Sequence, residues 1–425
     1  MIKILKSYNE KEIFDRSTQT VDVSASVSEI IENVKSNGDA ALKEYCLKFD
    51  KVEIDKFEID AALMKKAYEN TDDDFKAVLD EAAKNIREYH EMQKREGYEI
   101  NRSNGVVLGR RVLPLQRVAL YVPGGTAAYP SSVLMNCIPA KIAGVDEIIM
   151  TTPPSKDGTI RDDILAAAFV AGVDRLFCIG GAQAVAALAY GTETVPKVDK
   201  IVGPGNAFVA EAKKQVYGLV SIDMIAGPSE ILVVADNTCN PAFVAADLLS
   251  QAEHDKMASA VLVTDSEEFA VKVSEELEKQ IPLLPRSEIA RTSIDNNGKI
   301  IVASDLTAAI EIANEIAPEH LELCVDNPFD YLDSIRHAGS IFMGKYCPEA
   351  LVDYFAGPNH TLPTSGTAKF SSPLSVDDFV KKTQYTYYTK DALSKVADDV
   401  AFFAEKEGLT AHAKSATIRT ENNNE

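Results

Sequence analysis

"RLFCIGGAQAVAALAYG", residues 175–191, is the stretch whose reading decides the fold. A short apolar run of strand length meets a Gly-Gly turn and passes into an alanine-rich helix. The same order appears in "RVALYV" (117–122), which leads through "PGGTAAYPSS" (123–132) to the helical "VLMNCIPAKIAG" (133–144). It appears again in "KIVGPGNAFVAEAKKQV" (200–216), and "EIIMTTPPS" (147–155) is a strand ending in a Pro-rich loop. Strand, glycine turn and helix, repeated, specify a parallel sheet with helices on its faces. An identical "AGVD" introduces two of these strands, at 143–146 and 171–174, and reads as reuse of one helix-to-strand joint.

A second series follows. "EILVVAD" (230–236), "SAVLVTD" (259–265), "KIIVAS" (299–304), "LELCVD" (321–326) and "SIFMG" (340–344) read as strands. "PAFVAADLLSQAEH" (241–254), "EEFAVKVSEELEKQI" (267–281) and "LTAAIEIANEIA" (306–317) carry the helical spacing between them. Upstream, "VSEIIENVKSNGDAALKEYCLKF" (27–49) and "DFKAVLDEAAKNIREYHEM" (74–92) are helical. The expectation is an α/β protein: two Rossmann-like parallel-sheet domains, one inserted in the other, plus small helical N- and C-terminal segments. The boundaries expected are an N-terminal arm at 1–24, a larger α/β domain from 25–118 and 237–377, an inserted α/β domain at 119–236, and a C-terminal helical segment at 378–425 ending in an unstructured "ENNNE".

In open parallel sheets ligands bind beyond the carboxyl ends of the strands. Those ends carry Tyr121-Val-Pro-Gly-Gly, Gly180-Gly-Ala-Gln183 and Gly203-Pro-Gly-Asn206. Glycine lets a ligand approach the backbone, and helix N-termini favour phosphate, so a nucleotide fits across the three loops. No GxGxxG and no GxxxxGK[ST] occurs. Tight turns alone explain any single loop.

Composition removes other classes. The 425 residues include 65 acidic and 44 basic ones, a formal net charge of −21. A polyanion such as nucleic acid is not the partner of such a chain. Six scattered cysteines without a CxxC pair, and no export signal in "MIKILKSYNEKE", point to reduced thiols in the cytoplasm. No apolar run is long enough to span a bilayer.

Histidine is scarce, with six in the chain, and four lie in polar or Gly/Pro-marked stretches: "SQAEHD", "IAPEHLE", "FAGPNHTLPT" and "EGLTAHAKSA". His90 and His337 read as surface helix residues. Gln251 and His254, three apart at the end of a helix, share a face, which is half of a metal site or an ordinary helix end. Glu319 and His320 are adjacent after a proline, where their side chains diverge and can serve two proton transfers. Asp353 and His360 flank a Gly-Pro turn, and Glu407 and His412 lie near the C-terminus. Residue chemistry alone leaves three readings open: a nicotinamide-dependent oxidoreductase, a zinc hydrolase of similar build, and a two-lobed binding protein for a metal-chelating ligand.

Longer motifs narrow the choice. "IDMIAGPSEILVVADNTCNPAFVAADLLSQAEH", "YVPGG", "GGAQA", "PKVDKIVGPGNAFVAEAKKQV", "IAPEHLE", "GPNHTLPTSGTAKFSSPLSVDDF" and "EGLTAHAKSATIR" together resemble the histidinol dehydrogenase family. The resemblance covers nearly the whole chain from about residue 25. It implies NAD-dependent four-electron oxidation of L-histidinol to L-histidine through a bound aldehyde, with one zinc per site. It further implies Gln251, His254, Asp353 and His412 as zinc ligands that also meet the substrate. Glu319 and His320 would be the general bases, with His320, Ser229, His360 and Glu407 touching substrate, and Tyr121, Gln183 and Asn206 touching NAD. The family resemblance also implies a homodimer whose C-terminal segment completes the partner's site. One departure is Val352, before Asp353, where many relatives carry glycine.

Overall fold

The computed structural model of the protein describes residues 1–6, 22–124 and 129–421. Gly125 of the first glycine loop, most of the expected N-terminal arm and the last four residues of the tail lie outside that set. The described residues divide into two compact units, those within 1–93 and 115–379, and those within 94–114 and 380–421.

The first unit holds two six-stranded sheets. One runs, in spatial order, Glu58–Ile59, Arg175–Cys178, Glu147–Thr152, Arg117–Tyr121, Lys200–Val202, Ser221–Ile222. All its neighbours are parallel except Glu58–Ile59, which is an antiparallel edge. The other runs Lys3–Leu5, Lys299–Val302, Ser259–Thr264, Glu230–Ala235, His320–Cys324, Ser340–Met343, parallel throughout. Each sheet grows outward from a middle strand in one direction, then jumps back and grows in the other. The jumps fall between Arg117–Tyr121 and Lys200–Val202, and between Glu230–Ala235 and His320–Cys324. Strands covered by helices on both faces need continuous apolar runs, and Val118, Ala119, Leu120, Leu232, Val233 and Leu321 are fully buried. The expected α/β class of two parallel-sheet domains, one inserted in the other, is therefore observed: the chain enters the second sheet at Lys3–Leu5, builds the first, and returns at Glu230.

The extent of the insertion differs from expectation. The helices Ser24–Tyr45, Ala61–Asn70 and Asp73–Glu91 were assigned by sequence to the 237–377 domain. Their apolar stripes, including Val27, Ile31, Leu42, Leu79 and Ile86, instead share one buried cluster with Leu120, Ile149, Leu176 and Val185 of the first sheet. Helical periodicity reveals that a stripe exists but not which sheet it covers. The expected arm at 1–24 is also not separate, because Lys3–Leu5 forms an edge strand of the second sheet.

The second unit is a three-stranded antiparallel sheet of Val380–Tyr387, Val107–Pro114 and Tyr98–Asn101, with the helices Lys390–Ser394, Ala397–Lys406 and Thr410–Thr417. The segment after 378 was expected to be helical. Its "VKKTQYTY" is a strand whose Thr and Tyr residues favour sheet, and its largely exposed side chains left no apolar alternation to read. Among the described residues no helix is long and apolar enough to cross a membrane.

Candidate active site

The helix Pro241–Ala252 starts with Pro241 in its first turn and Asn240 capping the Ala242 N–H. Val244, Ala245, Leu248 and Leu249 bury its inner face, and that packing carries Gln251 into full burial in the last turn. His254 follows just beyond the helix end. The helix has run back from the strand Glu230–Ala235, so these two residues arrive at the amino edge of the second sheet. Glu230 and His320 are the first residues of their adjacent strands, with Ile231 paired to His320. The cluster thus sits at the strand ends opposite to those where open sheets usually bind ligands.

Glu319 and His320 grip the same residue. The Glu230 N–H donates to Glu319 Oε2 at 2.9 Å, and His320 Nδ1 lies 2.9 Å from the Glu230 carbonyl. Gln251 Nε2 is also 3.2 Å from His320 Nδ1. A carbonyl can only accept, so the network assigns the ring proton to Nδ1 and the donation to Glu230. The Gln251 amide donates instead to Glu349 Oε1 at 2.6 Å, which turns its oxygen towards His254 Nδ1, 3.0 Å away. In the neutral ring Nε2 is then the acceptor nitrogen, and it is buried and without a hydrogen-bond partner. It lies 3.8 Å from Glu349 Oε1 and 3.9 Å from Asp353 Oδ1, another buried atom with no hydrogen-bond partner.

Glu349 is the residue that sequence reading missed. It is 3% exposed, and its carboxylate, His320 and Asp353 present donor atoms all within 4.8 Å of one another. The available signal was the spacing of Glu349 and Asp353, four apart in "PEALVDY", which puts both on one helical face. Glu349–Leu351 is helical and continues into a wider π-type turn, Val352–Ala356. Val352 has ordinary right-handed helical angles (φ −77°, ψ −40°), a backbone that needs no glycine. Glu349 is held by Ser250, whose hydroxyl donates to Oε2 at 2.9 Å, and its own N–H donates to Glu322 Oε1 at 2.7 Å.

Burial pushes the Glu319 carboxyl well above the usual range, and the nearby negative charges of Glu230, Asp353 and Glu349 push the same way. Burial and the Glu349 charge do the same to Asp353. His254 is pushed down by burial, and His360 down to about 4, so both rings are neutral near pH 7. His360 Nδ1 lies 3.1 Å from the Asp353 carbonyl and its Nε2 lies 3.2 Å from Ser132 Oγ. Behind it, Asn359 donates to the Met135 carbonyl at 2.6 Å and approaches His90. His90, expected on the surface, is fully buried and structural, with Gln93 2.7 Å from its Nδ1.

Crowded carboxyls, two buried polar atoms without hydrogen bonds, and neutral imidazoles form a donor set of nitrogen and oxygen that suits a divalent cation. A cation there would offset the burial and the neighbouring Glu349 charge that push the Asp353 carboxyl up.

Ser229 directly precedes Glu230, and its carbonyl accepts from the Ser259 N–H. Glu407 and His412 belong to the second unit, Glu407 ending the helix Ala397–Lys406 and His412 inside Thr410–Thr417, both exposed. Tyr121 and Gly203 lie at the carboxyl ends of the two strands flanking the first sheet's jump. The Tyr121 hydroxyl accepts from the Gly181 N–H at 3.0 Å, burial raising its pKa to about 12. Gln183 is buried, and Asn206 is exposed and caps the helix Ala207–Val216 through Phe208 and Val209. Two helix N-termini therefore open at one strand edge, a setting that suits a dinucleotide. The glycines also have a packing role: a Cβ on Gly203 would lie 2.1 Å from the Tyr121 carbonyl oxygen, and one on Gly180 would lie 2.4 Å from Pro153.

Residues 14–420 match the family model described as histidinol dehydrogenase. The chain is similar to the histidinol dehydrogenase of Clostridium acetobutylicum, 59% identical over 94% of this chain and 93% of that protein. It is 53% identical to that of Streptococcus mutans over 99% of this chain and all of the relative. The crystal structure of histidinol dehydrogenase from Elizabethkingia anophelis superposes with a TM-score of 0.93 at 36% identity, covering 100% of this chain and 99% of that one.

Proposed function

This chain belongs to the histidinol dehydrogenase family, and from that premise we propose that it oxidises L-histidinol to L-histidine through a bound aldehyde, with zinc and NAD, in the cytoplasm. The observation that carries the reading is the buried, hydrogen-bond-free His320 Nε2 facing Asp353 Oδ1, beside a Glu319 whose carboxyl is raised by burial.

When bound, NAD supplies the hydride acceptor and zinc an electropositive anchor for the substrate's imidazole and amine. Gln251, His254 and Asp353 would hold the metal, with His412 from a second copy as the fourth ligand. Tyr121, Gln183 and Asn206 would hold the NAD. His320 Nε2 takes the alcohol proton, its Nδ1–H locked on Glu230 so that the basic nitrogen stays aimed at the reacting carbon. Glu319, once ionised, takes a proton from the water that hydrates the aldehyde. His320, its first proton released, then takes the hydroxyl proton of that hydrate. Ser229 and His360, with Glu407 from the second copy, orient the substrate, and burial of the cluster limits escape of the aldehyde.

The homodimer is part of the proposal. The second unit exposes Phe402, Phe403 and Tyr387, by 63%, 68% and 58% of their surface, apolar area that a second copy would cover. A metal site with three ligands from one copy and His412 from another explains why an exposed helix carries that histidine.

The test is zinc-loaded protein with NAD and L-histidinol, counting NADH against histidine. Two NADH per histidine is expected. No NADH from folded, metal-loaded protein overturns the proposal.

A further inference from the structure

We propose that the buried Lys213–Asp223 ion pair is a positioning device for the loop Gly203–Asn206, so that its loss weakens NAD binding while leaving histidinol binding in place. The inference rests on the reading above that this loop holds NAD.

The two side chains are 2% and 1% exposed and in direct contact. Between them they take both backbone polar groups of one residue: Lys213 Nζ donates to the Gly203 carbonyl at 2.9 Å, and the Gly203 N–H donates to Asp223 Oδ2 at 2.7 Å. Gly203 needs such partners. Its φ of +112° takes the chain out of the strand, where the sheet ladder no longer supplies them. Lys213 comes from the helix Ala207–Val216, and Asp223 directly follows the edge strand Ser221–Ile222. The pair therefore ties a helix and an edge strand to one turn.

That turn lies at the jump in the first sheet. Gly203 is wedged against the Tyr121 carbonyl, and three residues later Asn206 caps the helix that carries Lys213. Tyr121 and Asn206, on the two sides of the jump, are thus held at a fixed spacing through Gly203. Stability alone is a weak reason for such a pair, because apolar residues of similar volume fill a core without the cost of desolvating two charges. What apolar residues do not supply is a donor and an acceptor for Gly203.

The experiment uses zinc-loaded full-length protein, with NAD and L-histidinol titrated separately by calorimetry and KM measured for each. Asp223→Asn and Lys213→Met are each expected to weaken NAD binding and raise KM for NAD about tenfold or more. Histidinol binding should stay within about twofold of wild type, a split that general loosening of the fold would not produce. If the single variants fail to fold, Lys213→Met/Asp223→Leu refills the volume without charge, and it should fold yet bind NAD poorly. Variants that bind NAD as wild type does, with only Tm lowered, overturn the positioning role. Wild-type protein that binds no NAD overturns the parent reading and this inference with it, an outcome distinguishable because wild type is titrated first.

Discussion

Glu319 and His320 hold the two sides of a single residue, the first by accepting the Glu230 N–H and the second by donating to the Glu230 carbonyl, each at 2.9 Å. Sequence neighbours are thereby pinned in different orientations, and only one ring nitrogen of His320 is available as a base. On the proposed mechanism the two proton-transfer roles then fall to two groups. Glu319→Gln is expected to spare alcohol oxidation more than aldehyde oxidation, assayed with histidinol and histidinal in separate half-reactions. Equal loss in both would sink the division of labour.

The pH dependence follows from the same carboxyl. Burial raises the Glu319 pKa, so the acid form persists above the ordinary glutamate range and only the anion is a base. Aldehyde oxidation should therefore rise as pH increases through the raised pKa. The Glu319→Gln profile should lose that limb; an unchanged profile would assign the ionisation to another group.

His254→Ala should lose metal and activity together, followed by elemental analysis and NADH formation. Full metal content with full activity would remove His254 from the ligand set.

Glu349 turns the Gln251 amide by accepting its hydrogen at 2.6 Å, which aims the amide oxygen towards His254. Glu349→Gln should weaken metal binding by about 10–100-fold, as loss of an outer partner does elsewhere. Competition with a chelator measures it, and wild-type affinity in the variant would contradict the orienting role.

Gly203→Ala should destabilise the protein by roughly 1–3 kcal/mol in urea unfolding, because a Cβ meets the Tyr121 carbonyl oxygen in a left-handed backbone. An unchanged midpoint would mean that the turn relaxes freely.

If His412 acts in the site of a second copy, His412→Ala and Glu319→Gln proteins, each inactive in the complete reaction, should regain activity when mixed and allowed to exchange subunits. Absence of complementation in a verified mixed dimer would mean that each site takes both residues from one and the same chain.

The chain's own periodicity determined its strands and most of its helices. "RLFCIGG" and its relatives carry local information, since a buried parallel strand needs an unbroken apolar run and its exit turn needs glycine. The candidate residues were legible in part for the same reason: scarce histidines beside carboxyls stand out in any sequence. Tertiary structure decided the rest. Only packing assigns the stripe Val27, Ile31, Leu42 to the first sheet, because an amphipathic helix records that it has a partner and not which one. Only packing brings Glu349 against Gln251, 98 residues away, and lodges Lys213 and Asp223 around Gly203. Charged groups at such separations meet through the fold, and their side chains carry no periodic mark of the burial that defines their chemistry.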